Sequence, residues 1–491
     1  QYFYPLYKRD IDNGKLTKKQ AQEYVTAFWR KLSEMDLGWQ NITIGGERYG
    51  IDESNELTIM CMKAAEEVKG QQPQLSLRVH TGTPQKIWDE AIGLLSYGMG
   101  FPALFNDKVC KTAMKNKGFT DEDAENYSVM GCVELLSEGN EFSHQEGMRF
   151  NFVKFLEILL HSGKCVLTDK KWGLKQEKNI DEIKSIDELV MWYTDELRDT
   201  MRRLCKMLDF TSRHYAERYH APFLSAMMTG PLEKGKDVHD NGTKYNNLTI
   251  CGVGIGEIAD CLQAIQRICF EKRQLKLSEL IDITDNNYVG YDEVKNELIK
   301  CDKYGNDIDE VDEKCRRIID AFEDAVTGYT LVYREGVMQV GFYTSYFHAD
   351  FGKLTAASPD GRNKGMPLSP SLSPMTGMDR NGILAVINSA NKIDMSNFGN
   401  GMALDLKLSP VFFDKVENRE ALKSVVRTYF ARGGLEIQFN VVDAETLRKA
   451  KADPINYRNI IVRVAGFSAR FVELDKALQD EIIRRTEHTC A

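Results

Sequence analysis

The sequence predicts a mixed α/β fold in which helices separate the strands along the chain. Alternating apolar residues from Leu75 to Val79 are typical of a strand, and helical spacing follows from Gln85 to Tyr97. The same order recurs at Leu248 to Val253, an apolar run that precedes a helical stripe over 254–271. With 491 residues, 42% of them hydrophobic, the chain can form one large layered domain or two closely joined ones.

Capping signals and periodicity predict the remaining elements. These are, in chain order, a helix after the capping box Thr17 to Gln20, a loop or short strand over 39–50, helices over 54–68 and 149–161, a long helix from the cap Ser185 to Glu188 to about Met207, long ordered loops over 341–410, and strands over 437–442 and 459–464.

Composition and charge narrow the class of protein. Lys and Arg number 64 and Asp and Glu 73, and the net charge of −9 is spread along the chain, so nucleic acid is not an expected partner. The 11 cysteines are odd in number and include no CxxC pair, which is neither a disulfide framework nor a zinc or iron–sulfur ligand pattern. No secretion signal and no apolar run of about 18 residues is found, which predicts a cytoplasmic protein with reduced thiols.

The first ten residues, Gln1 to Asp10, are rich in aromatic side chains and include no initiator methionine. Chain termini are usually polar and frayed. We therefore expect that a preceding portion has been cut off or lies on another chain, with simple processing as the alternative.

Three segments are candidates for chemistry. Gly252 to Gly256 precedes a helix but does not have the third-glycine spacing or the acidic partner of a dinucleotide loop. His161 and Cys165 could share a helical face as metal ligands, yet no second pair lies near them, so core or surface roles are expected. Cys132 and Glu134 would point the same way from an extended segment, where they could supply a hydrogen-atom or nucleophilic centre and a general acid or base. Taken alone, Cys132 is a small hydrophobe, and no histidine is spaced to form an evident dyad with it.

The most specific pattern lies near the end of the chain, where an apolar strand runs into a glycine-centred turn and then the start of an amphipathic helix. This stretch resembles the C-terminal signature of glycyl radical enzymes, and Gly131-Cys132-Val133-Glu134 resembles the cysteine loop of the dehydratase and lyase branch of that family. The matching segments cover almost the whole chain: Gly98–Asp107, Pro359–Arg362, Gln438–Asn440, Arg463–Ser468, Phe471–Leu474 and Gln479–Ile483.

The resemblance implies a radical mechanism. Gly466 would store a backbone radical, Cys132 would become a thiyl radical that attacks the substrate, and Glu134 would act as general acid or base. A backbone radical needs a planar α-carbon, which a side chain would crowd, so glycine suits the position. The resemblance implies no bound cofactor in this chain, because a separate activating enzyme installs the radical with S-adenosylmethionine and an iron–sulfur cluster.

The resemblance also implies a fold: a ten-stranded α/β barrel made of two antiparallel five-stranded halves. The chain is expected to hold its C-terminal portion, with residues 1–360 as the pyruvate formate-lyase-like barrel part and residues 361–491 as the glycine radical domain. The missing N-terminal half-barrel would then come from a second chain, unless the sequence is a fragment.

The cysteine loop implies the reaction. Gly131 stands where pyruvate formate-lyase proper has a second cysteine, so thiol acyl transfer is not expected. The Cys-x-Glu arrangement implies an oxygen-sensitive lyase that cleaves C–O, C–N or C–S and expels water or another group from a small hydroxylated substrate. The segment after Glu134 differs from the proline-containing version of several diol dehydratases, which disfavours glycerol and propanediol.

Two alternatives are kept: an arylacetate decarboxylase or other C–C lyase, and, from another class, a non-catalytic or radical-donating subunit. By approximate spacing, Trp39, Phe342, Ser345 and His348 are expected to line the substrate pocket. The expected partners are a small-molecule substrate and the activating enzyme, with no membrane and no nucleic acid, and homo-oligomer formation is left open.

Overall fold

Two sheets carry the loops that form the candidate site in the computed structural model, which describes residues 2–35 and 38–488. The strands are β1 (Asn41–Gly45), β2 (Glu47–Arg48), β3 (Ile51–Asp52), β4 (Gln74–Val79), β5 (Ala103–Asn106), β6 (Tyr127–Met130), β7 (Glu134–Ser137), β8 (His144–Asn151), β9 (Leu248–Val253), β10 (Met338–Gly341), β11 (Asp405–Leu408), β12 (Glu436–Val441), β13 (Ile461–Arg463) and β14 (Ser468–Arg470).

Helices surround these sheets. They are α1 (Tyr4–Asp12), α2 (Lys18–Met35), α3 (Glu56–Val68), α4 (Gln85–Leu95), α5 (Asp107–Asn116), α6 (Asp121–Glu125), α7 (Phe152–Leu160), α8 (Ile186–Arg218), α9 (Pro222–Met227), α10 (Pro231–Lys234), α11 (Ile255–Ile265), α12 (Leu277–Asp285), α13 (Asp292–Lys300), α14 (Asp309–Thr327), α15 (Phe347–Lys353), α16 (Ile383–Ala390), α17 (Val416–Ala431), α18 (Ala444–Ala452) and α19 (Lys476–Arg484). Over residues 2–35 and 38–488, none of them combines the length and the apolar character needed to cross a bilayer.

The first sheet has five strands in the order β1-β4-β5-β12-β11. β1, β4 and β5 are parallel, β12 runs antiparallel to β5, and β11 is parallel to β12. The second sheet has three parallel strands in the order β10-β9-β8. A parallel bridge between Phe342 and Met402 joins the two sheets just beyond β10 and before β11. The principal strands therefore form an arc whose outer strands, in the described part of the chain, are β1 and β8.

This arrangement confirms the expected α/β class. Along the arc formed by the described residues, strand direction reverses only between β5 and β12, so β12, β11, β10, β9 and β8 are five successive parallel strands, as one half of the implied ten-stranded barrel requires, and β5, β4 and β1 are three strands of the other half. Apolar side chains fill the space between the sheets and the helices. In one such cluster the Phe342 ring lies 5.2 Å from Phe398 and 5.8 Å from Phe322, centroid to centroid.

Most helices predicted from capping and periodicity are present. The Thr17 amide donates to Gln20 Oε1 at 3.0 Å and the Gln20 amide donates to Thr17 Oγ1 at 3.2 Å, which is the expected capping box. α8 begins after the predicted cap at Ser185 but continues to Arg218 instead of ending near Met207. Its last turns stay packed because Asp209 accepts hydrogen bonds from two backbone amides, those of residues 332 and 333.

Several strands escaped the sequence patterns, among them β5, β8, β10, β11 and β14. The range 341–410, expected to consist of long ordered loops, also contains α15, α16 and β11. The range 149–161 was expected to be helical throughout, yet its first three residues end β8 and the helix begins at Phe152. β8 carries Gly147 and polar residues on both faces, so its alternation is weak. β14 is only three residues long and converts the glycine-centred turn into a hairpin with β13. The amphipathic helix follows later, from Lys476.

Candidate active site

A tight hairpin presents Cys132 and Glu134. β6 and β7 pair in register up to Met130 and Glu134, so residues 131–133 form a three-residue turn in which Gly131 has φ +56°. The turn is held against β1, because Asn41 Nδ2 donates to the Gly131 carbonyl oxygen at 3.1 Å. Cys132 therefore occupies the tip of the hairpin rather than the extended segment considered from the sequence, and Glu134 begins the returning strand.

A second hairpin, β13 and β14, presents Gly466. Its four-residue loop closes with a hydrogen bond from the Val464 amide to the Phe467 carbonyl oxygen at 2.8 Å. Gly466 is buried and has φ +98°, a conformation that strongly favours glycine. The Ser345 amide donates to the carbonyl oxygen of Ala465 at 3.1 Å, so the loop is also held by the turn that follows β10.

The two hairpin tips meet. A Cβ atom built on Gly466 would lie 2.5 Å from Cys132 Cβ and 3.1 Å from Cys132 Sγ. The glycine α-carbon is thus within about 4.6 Å of the sulfur, given a carbon–carbon bond of about 1.5 Å. The substituent of the Gly466 α-carbon that points toward Cys132 can therefore be no larger than a hydrogen atom. This is the near-contact geometry that direct hydrogen-atom transfer between the two residues needs.

The Cys132 thiol is buried with 2% of its surface exposed. Burial, followed by the nearby carboxyl group of Glu134, raises the pKa of Cys132 well above its ordinary value. The sulfur therefore keeps its proton at neutral pH. A protonated thiol is a hydrogen-atom donor and a poor nucleophile, which favours radical chemistry over acyl transfer.

Glu134 folds back over its own turn. Its Oε2 accepts hydrogen bonds from the amides of Cys132 and Val133, both at 2.8 Å. Burial, assisted by the charge of Glu146, raises the pKa of Glu134 to about 7 in spite of these two donors. A carboxyl group with a pKa near neutrality can both accept and release a proton, as general acid–base catalysis requires.

Buried polar side chains hydrogen-bond to Arg463 and Ser468, the residues on either side of the glycine loop. Arg463 donates to Gln438 Oε1 at 2.6 Å and to the side chain of Gln74, which itself accepts from the Ser468 amide at 3.2 Å. Asn440 Nδ2 donates to the Arg463 carbonyl oxygen at 2.9 Å. Gln438 and Asn440 belong to a segment that carried the family resemblance, and the structure shows their contact with the loop.

Arg485 is a further contact of the loop, and the sequence patterns did not single it out. Its guanidinium donates to the carbonyl oxygens of Arg463, at 3.2 Å, and of Val464. Its charge is balanced by Glu481, 2.9 Å away and fully buried. His348 Nε2 lies 3.6 Å from the same carboxylate. Arg485 stands two residues beyond the signature segment, so only the three-dimensional structure reveals its role.

The residues expected to line a pocket have different surroundings. Trp39 is 46% exposed, and its ring lies 4.7 Å from that of Phe467 in the glycine loop. Ser345 is buried and its hydroxyl has no partner among the described residues. Phe342 is fully buried in the aromatic cluster beneath the helices, and His348 is fully buried against Glu481. The structure thus brings Trp39 and Ser345 to the glycine loop and places the other two in the core.

The two weaker candidate sites have ordinary structural roles. His161 Nε2 pairs with Asp285 at 2.9 Å and its Nδ1 contacts the Glu157 carbonyl oxygen at 2.6 Å. No group of three or more possible metal ligands is present within residues 2–35 and 38–488. In the glycine-rich turn after β9, a Cβ on Gly256 would lie 3.0 Å from the Ser373 carbonyl oxygen, so the chain itself fills that space.

Comparisons with known proteins agree with this geometry. Residues 1–352 match the family model described as pyruvate formate lyase-like, and residues 368–472 match the one described as glycine radical. Trans-4-hydroxy-L-proline dehydratase of Clostridioides difficile is 33% identical over 100% of this chain and 64% of its own length. (2S)-3-sulfopropanediol dehydratase of Klebsiella oxytoca is 29% identical over 99% of this chain and 61% of its own length.

A solved structure shows the same fold. The glycerol-bound form of the B12-independent glycerol dehydratase from Clostridium butyricum superposes with a TM-score of 0.93 at 35% identity, over 100% of this chain and 63% of that one. The chain therefore spans less than two thirds of the length of the relatives it matches.

Proposed function

Because the chain belongs to the pyruvate formate lyase-like family and also matches the glycine radical model, we propose that it is the radical-bearing part of a glycyl radical lyase. The reaction is elimination of water or another leaving group from a small hydroxylated substrate. The observation that carries the proposal is the contact between Gly466 and Cys132, with Glu134 hydrogen-bonded in the same turn. The dehydratases and the isethionate sulfite-lyase of Bilophila wadsworthia among its relatives support elimination as the reaction type.

The proposed steps use these three residues in turn. The Gly466 radical takes the hydrogen atom of the Cys132 thiol, so a C–H bond forms and the S–H bond breaks. The thiyl radical then takes a hydrogen atom from a substrate carbon. Glu134 then accepts the proton of the substrate hydroxyl while the bond to the neighbouring group breaks, and it passes that proton to the leaving group, so that a leaving hydroxide departs as water and Glu134 is a carboxylate again. The product radical recovers a hydrogen atom from Cys132, and the radical returns to Gly466.

Two other residues are proposed to face the substrate. Trp39 lies beside the glycine loop and is partly open, and Ser345 offers a hydroxyl with no partner in the described residues. Phe342 and His348, expected at the pocket from their spacing, are proposed to act from the core, by supporting the sheet and the loop.

Completion of the site requires further polypeptide. The arc of strands ends at β1 and β8, and the relatives are longer than this chain. We propose that the remaining strands of the second half-barrel close this arc, supplied by a second chain or by a further segment of the same protein. We propose that residues 1–360 form the barrel part and residues 361–491 the glycine radical domain. Two strands of the latter, β11 and β12, pair within the five-stranded sheet of the former.

Activation is proposed to come from outside the chain. A separate activating enzyme that carries an iron–sulfur cluster and uses S-adenosylmethionine would remove one hydrogen atom from Gly466. We propose a cytoplasmic location, where such an activator and reduced thiols coexist. The ten cysteines of the described residues, all unpaired, are compatible with that compartment.

The test is activation without oxygen followed by electron paramagnetic resonance and product analysis. Wild-type protein is expected to show a glycyl radical and to release water or another small group from its substrate, whereas carbon dioxide as product would indicate the decarboxylase alternative. Cys132→Ala is expected to keep the radical and lose turnover. Cys61→Ala, a partly buried cysteine on α3, is the matched control and is expected to keep both. Turnover by Cys132→Ala would refute the proposal.

A further inference from the structure

A charged pair on β8, Glu146 and Arg149, has no part in the steps above. The register pairs Arg149 with Cys251 on β9. The next residue, Phe150, points to the helical side, where its ring lies 5.3 Å from that of Phe152. Because successive side chains of a strand point to opposite faces, Arg149 points into the arc.

The pair lies between the two hairpins of the candidate site. Gln145, next to Glu146, donates through Nε2 to the Leu135 carbonyl oxygen at 3.3 Å, one residue beyond Glu134. The Arg149 guanidinium lies over the Phe347 ring, 3.9 Å from its centroid. Phe347 is the first residue of α15 and follows, by two positions, Ser345, whose amide holds the glycine loop. Glu146 and Arg149 are also among the charges that act on the pKa of Cys132, after burial and Glu134.

The hydrogen bonding of Arg149 is incomplete. Its side chain is 8% exposed, and Nη2 donates to Glu146 Oε1. Its Nε is buried and has no acceptor in the described part of the chain. Buried guanidinium N–H groups almost always have an acceptor, and carboxylates are the acceptors they bind best. The Glu146 side chain is 44% exposed, so its carboxylate is open beside the unsatisfied donor.

We propose that Arg149 and Glu146 select a zwitterionic hydroxylated substrate, with the substrate carboxylate on Arg149 and its ammonium group on Glu146. This inference rests on the proposed function, because the ligand is the substrate of the same site. A pair with no net charge matches a ligand with no net charge. A simple anion on Arg149 would lie beside the like charge of Glu146, and a neutral diol would offer neither group an opposite charge beyond the one that the pair already provides.

The test is equilibrium binding to the complete protein, purified together with the polypeptide proposed to close the arc and not activated. Calorimetry would compare two zwitterions, trans-4-hydroxy-L-proline and L-threonine, with the anion isethionate and the neutral 1,2-propanediol. At least one zwitterion is expected to bind about tenfold more tightly than the anion and the diol. Arg149→Met and Glu146→Gln are each expected to weaken that binding about tenfold or more, and Arg149→Lys to retain part of it.

Arg213→Met is the matched control. Arg213 also pairs with a glutamate, Glu217 at 2.8 Å, and lies over an aromatic ring, that of Tyr333 at 5.6 Å, but on the protein surface. Its replacement is expected to leave binding unchanged. Thermal melting of each variant would show whether it is folded.

The proposal is overturned if isethionate or propanediol binds as tightly as the better zwitterion, if neither zwitterion binds, or if folded Arg149→Met or Glu146→Gln binds like the wild type. The comparison of the four ligands on the wild-type protein does not depend on whether any variant folds. Binding is measured without a radical, so an absent glycyl radical would refute the proposed function and leave this result standing. Loss of the zwitterion preference would refute only the inference.

Discussion

Replacement of Gly466 by alanine tests the contact on which the site depends. The new Cβ would lie 2.5 Å from Cys132 Cβ, closer than real Cβ contacts, and the backbone would remain at φ +98°. The unfavourable backbone conformation costs about 1–2 kcal/mol. Overpacking of a buried contact adds about 1–3 kcal/mol. We therefore expect a loss of roughly 2–5 kcal/mol in the free energy of unfolding, or an outward shift of the loop.

Gly433→Ala separates the two contributions. Gly433 has φ +103°, close to that of Gly466, but no heavy atom lies within 4 Å of the position that a Cβ would take there. It should show the backbone cost alone. The difference between the two variants in urea-induced unfolding measures the crowding against Cys132.

Radical formation provides the second readout of this pair. Gly466→Ala is expected to give no glycyl radical after anaerobic treatment with the activating enzyme, whereas Gly433→Ala gives the wild-type yield. If Gly466→Ala were no less stable than Gly433→Ala and still supported turnover, both the packing and the chemical argument would be wrong.

Three other outcomes are expected. Because a carboxyl whose folded pKa is raised from 4.5 to about 7 binds its proton more readily in the native state, Glu134 should destabilise the protein as pH rises through that window. Turnover should rise as the pH approaches 7, because Glu134 then ionises and can act as a base. In Glu134→Gln, most of the pH dependence of stability and of turnover should be lost, as measured by unfolding and by reaction rates across this pH range. Arg485→Met removes the guanidinium that pairs with the buried Glu481 carboxylate, so it should lower the free energy of unfolding by about 3–5 kcal/mol and shorten the radical lifetime. Adding Glu481→Gln should restore part of both. An unchanged radical lifetime in Arg485→Met would contradict this expectation. Air should cleave activated protein at Gly466, and an intact chain in mass spectrometry would count against a stored radical.

The chemical signatures were predictable because their residue types are set by chemistry. Under the proposed function Gly466 needs an unsubstituted α-carbon and Cys132 needs a thiol, so both stand out in the sequence wherever the fold places them. Their contact was implied by the family resemblance and is seen in the structure. Helices with capping residues, such as the one after Ser185, were predictable because a cap is a local feature.

The supporting residues were not predictable, because their roles depend on which distant groups come near. Arg485 is one basic residue among 64 until its guanidinium is seen on the loop carbonyls. Phe342 was placed at the pocket by counting along the chain, but a strand reverses its face at every residue, so spacing alone does not tell the barrel interior from the helical side. β8 was missed because Gly147 and polar residues on both of its faces, including Glu146 and Arg149, leave no clear alternation of apolar and polar side chains.

Burial divides the site into two zones with different freedom to vary. Gly466 and Cys132 are already enclosed by this chain, whereas Trp39 and Glu146 stay partly open along the unclosed side of the arc. The contact between Gly466 and Cys132 is thus shielded from solvent by the described residues alone. Under the proposed function, one means of generating a thiyl radical can be combined with substrate walls of differing shape and charge, in agreement with the different reactions named among the relatives.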